Sequence, residues 1–172
     1  MNTTMKIQLI FFLFCIVQSV FAQNAFFYDT ETVGSQYINA FCQDKNHYLW
    51  IGTRNGLRRF DGSQFVSYYH IKQDSTSLAD NEIHSLYIDS EQNLWVGTAN
   101  GLQRYFPESD SFQTVTLHQM KTKGRVISIL QQSTGEIICN VADVGIFSVN
   151  PQTMVAYPKI TKNKLVFYRS EE

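Results

Sequence analysis

Leu49-Trp50-Ile51-Gly52-Thr53-Arg54-Asn55-Gly56-Leu57 is followed, forty-five residues on, by Leu94-Trp95-Val96-Gly97-Thr98-Ala99-Asn100-Gly101-Leu102. The likeness extends outward. Ile38 to Phe60 laid on Ile83 to Tyr105 gives ten identities in 23 positions, in register and without a gap, so the two stretches are copies of one unit. A third, degenerate copy starts near Val126. There Gly135-Glu136-Ile137-Ile138-Cys139-Asn140 stands for the Leu-Trp segment, Ile138 replaces the tryptophan, Gly145-Ile146-Phe147 stands for Gly-Leu, and Val144 is one residue extra in the turn.

Alternating apolar residues and turn formers divide the first unit into four short strands, about Tyr37 to Gln43, Leu49 to Thr53, Leu57 to Phe60 and Phe65 to His70. Asn55-Gly56 and Asn100-Gly101 are hairpin signals, read as type I′ turns, which need positive φ at both residues. A four-stranded meander recurring every ~45 residues is the sequence form of a propeller blade. The expected fold is therefore all-β: a partial β-propeller of about three four-stranded antiparallel blades, an incomplete ring, since propellers use ~4 to 8. Blades fall at 37–80, 81–124 and 125–163, with 23–36 an N-terminal segment and 164–172 the start of a further blade, its first strand read at Leu165 to Tyr168. Trp50 and Trp95 are read as packing between blades, Gly52 and Gly97 as points where the next sheet comes close, and Asp44 and Asp89 as turn carboxylates accepting backbone N–H groups. Thr53 and Thr98 complete the repeated set.

The composition agrees with strands: 44% hydrophobic, 14% aromatic and only 17% charged. Residues 1–22 read as a signal peptide, with Lys6 before the apolar run Ile7 to Val17 and cleavage after Ala22, which makes the chain exported. Its loss moves the net charge from −1 to −2, with no basic footprint for nucleic acid. Cys42 and Cys139 fall on different units and read as separate buried thiols. His47, His70, His84 and His118 lack metal-ligand spacing, and no nucleophile elbow, phosphate loop or dinucleotide fingerprint occurs, so the expectation is no enzyme, no metal and no cofactor. Arg54, Arg58 and Arg59 gather near one hairpin with Tyr68 and Tyr69; solvated blade edges explain them, and no ligand-binding residue is assigned from them.

Asp89 to Tyr105 and Asp44 to Phe60 resemble the two-component-regulator propeller repeat, and Asp74 to Ile83 resembles that family's connection into the next blade. The resemblance covers about Phe26 to Pro151. It implies the N-terminal part of a periplasmic sensor of a hybrid regulator, with an oligosaccharide as ligand and the remaining blades, or self-association, as partner. In such proteins a segment placed like Ala25 to Tyr28 supplies a ring-closing strand, and contact with the membrane comes only through later segments. Two other readings stand beside it: a truncated or frameshifted gene fragment, and a propeller enzyme of sialidase or lactonase type.

Overall fold

A computed structural model describes residues 37–118 and 123–161. The leader, Ala25 to Tyr28 and Leu165 to Tyr168 lie outside the described residues.

Among the described residues there are thirteen strands and no helix. The first sheet runs β1 (Ile38–Gln43), β2 (Leu49–Thr53), β3 (Gly56–Phe60) and β4 (Phe65–Tyr68), each antiparallel to the next. The second repeats it with β5 (Ile83–Ile88), β6 (Leu94–Thr98), β7 (Gly101–Phe106) and β8 (Ser111–Thr114). The third has β10 (Val126–Gln131), β11 (Ile137–Val141), β12 (Gly145–Asn150) and β13 (Val155–Thr161), and gains a fifth strand, β9 (Thr116–Leu117), parallel to β13. Dividing the units at 124 and 125 thus leaves Thr116 and Leu117 on the wrong side. They extend the outer edge of the third sheet, through bonds from the Thr116 N–H to the Met154 carbonyl and from the His118 N–H to that of Ala156, both 2.8 Å.

The sheets stack, with one apolar core in each seam. Trp50 and Leu57 of the first sheet meet Ile83, Leu94, Val96 and Tyr105 of the second. Trp95 and Leu102 of the second meet Val126, Cys139, Val141 and Phe147 of the third. Trp50 and Trp95 are 1% and 0% exposed, so burial of ~150 to 250 Å² per indole goes into the seams rather than into a surface site. In the first and second sheets the tryptophan side faces the sheet that follows.

The glycine after each tryptophan makes the approach possible. A β-carbon built on Gly52 would lie 2.6 Å from Ile83 Cγ2, and one on Gly97 would lie 2.7 Å from the Val126 carbonyl oxygen and 3.0 Å from Val126 Cγ1. Ile83 and Val126 open the first strands of the next sheets, so each seam is a β-branched knob over a glycine socket. Side chains crossing the seams reinforce it: Asn39 Nδ2 donates to the Ile83 carbonyl at 2.7 Å, and Ser85 Oγ to that of Val126 at 3.0 Å.

The hairpin turns differ from the type I′ reading. Gly56 and Gly101 have φ of 95° and 114°, but Asn55 and Asn100 are not among the residues with positive φ. One left-handed residue ends the turn instead of two filling it, the arrangement of a type I turn closed by a glycine bulge. The threonine before the turn explains the choice. Thr53 Oγ1 accepts from the Asn55 N–H and donates to the Gly56 carbonyl, both at 2.9 Å, and Thr98 does the same with Asn100 and Gly101 at 3.0 Å. In the third sheet Val141 pairs with Gly145, one residue further than Thr53 with Gly56, which places the extra Val144 in the loop.

Candidate functional site

Asp44 and Asp89 open the turns between the first two strands of their sheets. Asp44 Oδ1 accepts from the N–H groups of Asn46 and Tyr48 at 2.9 and 3.1 Å, and Asp89 Oδ1 from those of Glu91 and Asn93 at 3.0 and 2.8 Å. Their other oxygens accept from indoles: Trp50 Nε1 donates to Asp44 Oδ2 at 2.9 Å and Trp95 Nε1 to Asp89 Oδ2 at 2.8 Å. Each carboxylate therefore fixes both its turn and the tryptophan six residues later. This clasp solves a physical problem, because an indole N–H buried in a seam needs an acceptor. The two aspartates sit in separate clasps and share no site.

The third sheet lacks the clasp entirely. Gln132 holds the turn position, its N–H donating to the Glu136 carbonyl at 2.9 Å as Asp44 and Asp89 do to Tyr48 and Asn93, and Ile138 holds the tryptophan position. With no indole N–H to satisfy, the carboxylate is gone as well.

The three arginines near the first hairpin do not form one cluster. Arg54 lies over the ring of Tyr37, Arg58 over that of Tyr69, and Arg59 over Tyr48, Trp50 and Tyr68. Arg58 is 2% exposed and donates to the Tyr69 hydroxyl at 2.9 Å, so it is held within the first sheet and is not a solvated edge residue. Neighbouring residues of a strand point to opposite faces, and Arg58 and Arg59 do so here.

Arg59 belongs to a polar and aromatic group across the first seam. Its Nη1 donates to the Tyr105 hydroxyl at 3.2 Å, and the hydroxyls of Tyr105 and Tyr68 both donate to Asp110 Oδ1, at 2.5 and 2.8 Å. Trp50, Tyr68, Tyr105 and Phe112 pack ring to ring at centroid distances of 4.9 to 5.9 Å. Burial by itself raises the Asp110 carboxyl, but the two hydroxyls and Arg59 outweigh it and hold it below the usual carboxylate range. Burial, with the bonds to Tyr105 and Asp110, pushes the Tyr68 hydroxyl up. The group is a closed structural network. Asp110, at φ 47° in the turn before β8, carries no repeat signature, and sequence reading does not find it.

The described residues also line concave surfaces. A groove of about 630 Å³ runs between the connector of residues 70–79 and the outer strand β8, lined by polar side chains such as Ser75, Ser111, Gln113 and Lys123 together with Leu78, Phe106 and Phe112. Gln103, fully buried, anchors that connector: its Oε1 accepts from the Ala79 N–H at 2.7 Å and its Nε2 donates to the Ser77 carbonyl at 3.0 Å. A smaller cleft of about 190 Å³ lies between the Asp44 turn and Arg104, whose Nη2 donates to Asn93 Oδ1 at 2.5 Å.

No group of three or more histidine, cysteine or acidic side chains suited to a metal ion occurs among the described residues. His70 Nδ1 is 2.7 Å from the Leu78 carbonyl oxygen and His84 Nε2 is 3.7 Å from Glu82 Oε1. Cys42 and Cys139 are both free thiols in different seams. Burial pushes each up to about 12, with Asp44 adding to the effect at Cys42, so neither is a thiolate nucleophile at neutral pH.

Residues 32–55 and 77–100 match the model of the two component regulator propeller. A stretch of 37 residues is 51% identical to Histidine kinase P4 of Formosa agariphila, covering 22% of this chain and 3% of that protein. Among solved structures, the extracellular domain assigned to the hybrid two component system BT3049 of B. thetaiotaomicron superposes with a TM-score of 0.67 at 26% identity, over 76% of this chain and 19% of that one. The corresponding domain of BT4673 gives 0.63 at 19% identity, over 77% and 20%, a likeness of fold. The chain thus spans about a fifth of the length of these structures.

Proposed function

The chain carries two-component regulator propeller repeats, and on that premise we propose that it forms part of the extracytoplasmic sensor of a hybrid two-component system, with an oligosaccharide as ligand. The observation that carries the reading is the agreement of two likenesses, one of sequence and one of fold. The repeats match in sequence, and the stacked sheets they build superpose on the extracellular domain assigned to a hybrid two component system. A binding role also suits the chemistry. Asp44 and Asp89, the recurrent carboxylates, are occupied by turn and indole donors, and the cysteines are held as thiols. The reading as exported, with a leader removed after Ala22, belongs to the same proposal, as does the view that the kinase lies elsewhere in such a system.

Of the concave surfaces described, the groove beside β8 has the size of a small-ligand site and a lining rich in hydrogen-bonding groups. The test is thermal unfolding of the chain against a panel of oligosaccharides from digested polysaccharides. A cognate sugar at 100 times its Kd stabilises by about 2.7 kcal/mol. The proposal fails if no sugar of a broad panel raises the melting temperature while the chain turns over a sialoside or lactone.

A further inference from the structure

The groove beside β8 and the first seam share parts of one wall. Phe112 lines the groove and, at 4% exposed, also belongs to the core of the seam, its ring 5.4 Å from that of Tyr68 and 5.2 Å from that of Tyr105. Leu78 of the connector is common to both. The turn before β8 joins them a third time. Ser109 and Ser111 line the groove with their hydroxyls 2.7 Å apart, and Asp110 between them accepts from the hydroxyls of Tyr68, on the first sheet, and Tyr105, on the second. The bond to Tyr68 is thus a tie from one sheet to the next. Its acceptor, Asp110, is the exposed member of an otherwise enclosed network and sits at φ 47°, a left-handed conformation uncommon outside glycine and over-represented where structures switch.

We propose that the turn Ser109-Asp110-Ser111 is a switch: an occupant of the groove draws the turn toward itself and releases the tie between Asp110 and Tyr68. This switch rests on the groove being the ligand site and adds the route by which occupancy reaches the stacked sheets. The bond between the two serine hydroxyls uses one of their two protons, so the other proton and the remaining lone pairs are left for a polyhydroxylated occupant. Asp110 shares its backbone with both serines and follows them. Its exposed carboxylate can take water in place of the tyrosine hydroxyls, which gives the turn two arrangements, tied and released. A ligand that binds the released arrangement better shifts the balance toward it, and by linkage a weakened tie favours the ligand. Trp50 registers the change, since its ring lies 5.8 Å from that of Tyr68 and 4.9 Å from that of Tyr105.

The test fills the groove by a covalent link and reads each seam by fluorine NMR. Gln113, exposed on β8 and lining the groove, is changed to cysteine and joined to a thiol-reactive maltose, which puts a sugar there whatever ligand the protein selects. Cys42 and Cys139 are held as thiols, pushed up to about 12, so the new cysteine is the reactive one, and mass spectrometry checks for a single addition. Trp50 and Trp95 are the chain's two tryptophans, so 5-fluorotryptophan gives one signal from each seam. Maltose on Gln113→Cys is expected to shift the Trp50 signal toward its position in Tyr68→Phe, which lacks the tie, and to leave the Trp95 signal in place. Maltose on Thr134→Cys, an exposed turn position outside the groove, leaves the Trp50 signal where it was. Asp110→Gly, which suits φ 47° and removes the carboxylate, abolishes the response to maltose at position 113, as does Tyr68→Phe. The switch is overturned if maltose at position 113 leaves the Trp50 signal in place, moves both tryptophan signals alike, or still moves Trp50 once the carboxylate or the Tyr68 hydroxyl is gone. An oligosaccharide panel that fails to raise the melting temperature bears on the sensing role alone, because the attached sugar occupies the groove without selective binding.

Discussion

Trp95→Ala is expected to cost about 3 to 5 kcal/mol of unfolding free energy, the range for truncating a large buried aromatic ring. The ring is fully buried and belongs to the core of the second seam with Leu102, Val126 and Phe147, so its loss opens a cavity between two sheets instead of trimming a surface. The same change leaves Asp89 Oδ2 without its indole donor at a carboxylate that is itself buried. Small domains have only ~5 to 15 kcal/mol in total, so this one substitution removes a large share. Urea unfolding followed by circular dichroism measures it. A change below about 1 kcal/mol would place the ring outside the packed seam.

Asp89→Ala ranks next, at about 3 kcal/mol. Four groups lose their acceptor: the Trp95 indole N–H, the Asn93 side-chain amide and the backbone N–H groups of Glu91 and Asn93. The indole N–H is the most costly, since it is buried and water cannot replace the lost partner, a penalty of ~1 to 3 kcal/mol for one such donor. Asp89→Asn should recover only part of this. The amide oxygen can serve either the turn or the indole, and its NH2 then points at N–H donors on the other side. Asp44→Ala should cost less, because Asp44 is half-buried where Asp89 is 5% exposed. The order Asp89→Ala, Asp89→Asn, Asp44→Ala in decreasing cost, read from the same unfolding curves, checks the clasp; equal and negligible costs would contradict it.

Strand placement was legible because it rests on local chemistry. Gly56 and Gly101 punctuate the hairpins, and the burial of Trp50 and Trp95 and the tight spaces at Gly52 and Gly97 follow from a repeat that has to stack. The threonine before the turn was visible as a repeated letter, but its two hydrogen bonds were not, so the turn was assigned two left-handed residues where there is one. The Asp-to-indole bond had a signal that could have been used: aspartate precedes tryptophan by six residues in both good copies, and both are absent together in the third.

Other features had no local signal. The addition of β9 to the third sheet depends on where the connector meets β13, and the network of Arg59, Tyr68, Tyr105 and Asp110 joins residues up to 46 apart through a seam. Arg54, Arg58 and Arg59 looked like one cluster because they are close in sequence. Alternation along β3 separates Arg58 from Arg59, and Arg54 lies before that strand.

A double-mutant cycle between Gly52 and Ile83 bears most directly on the stacking of the sheets, because the two residues lie 31 positions apart on different sheets and meet only if those sheets pack face to face. Gly52→Ala should cost about 1 to 3 kcal/mol in the native background, where the new methyl meets Ile83 Cγ2. In the Ile83→Ala background the 2.6 Å contact is gone and the β-carbon at 3.1 Å is the nearest atom left, so the cost should fall by ~1 kcal/mol or more. Costs that add to within about 0.3 to 0.5 kcal/mol would mean that the glycine and the isoleucine do not touch, and that the sheets are not stacked as described.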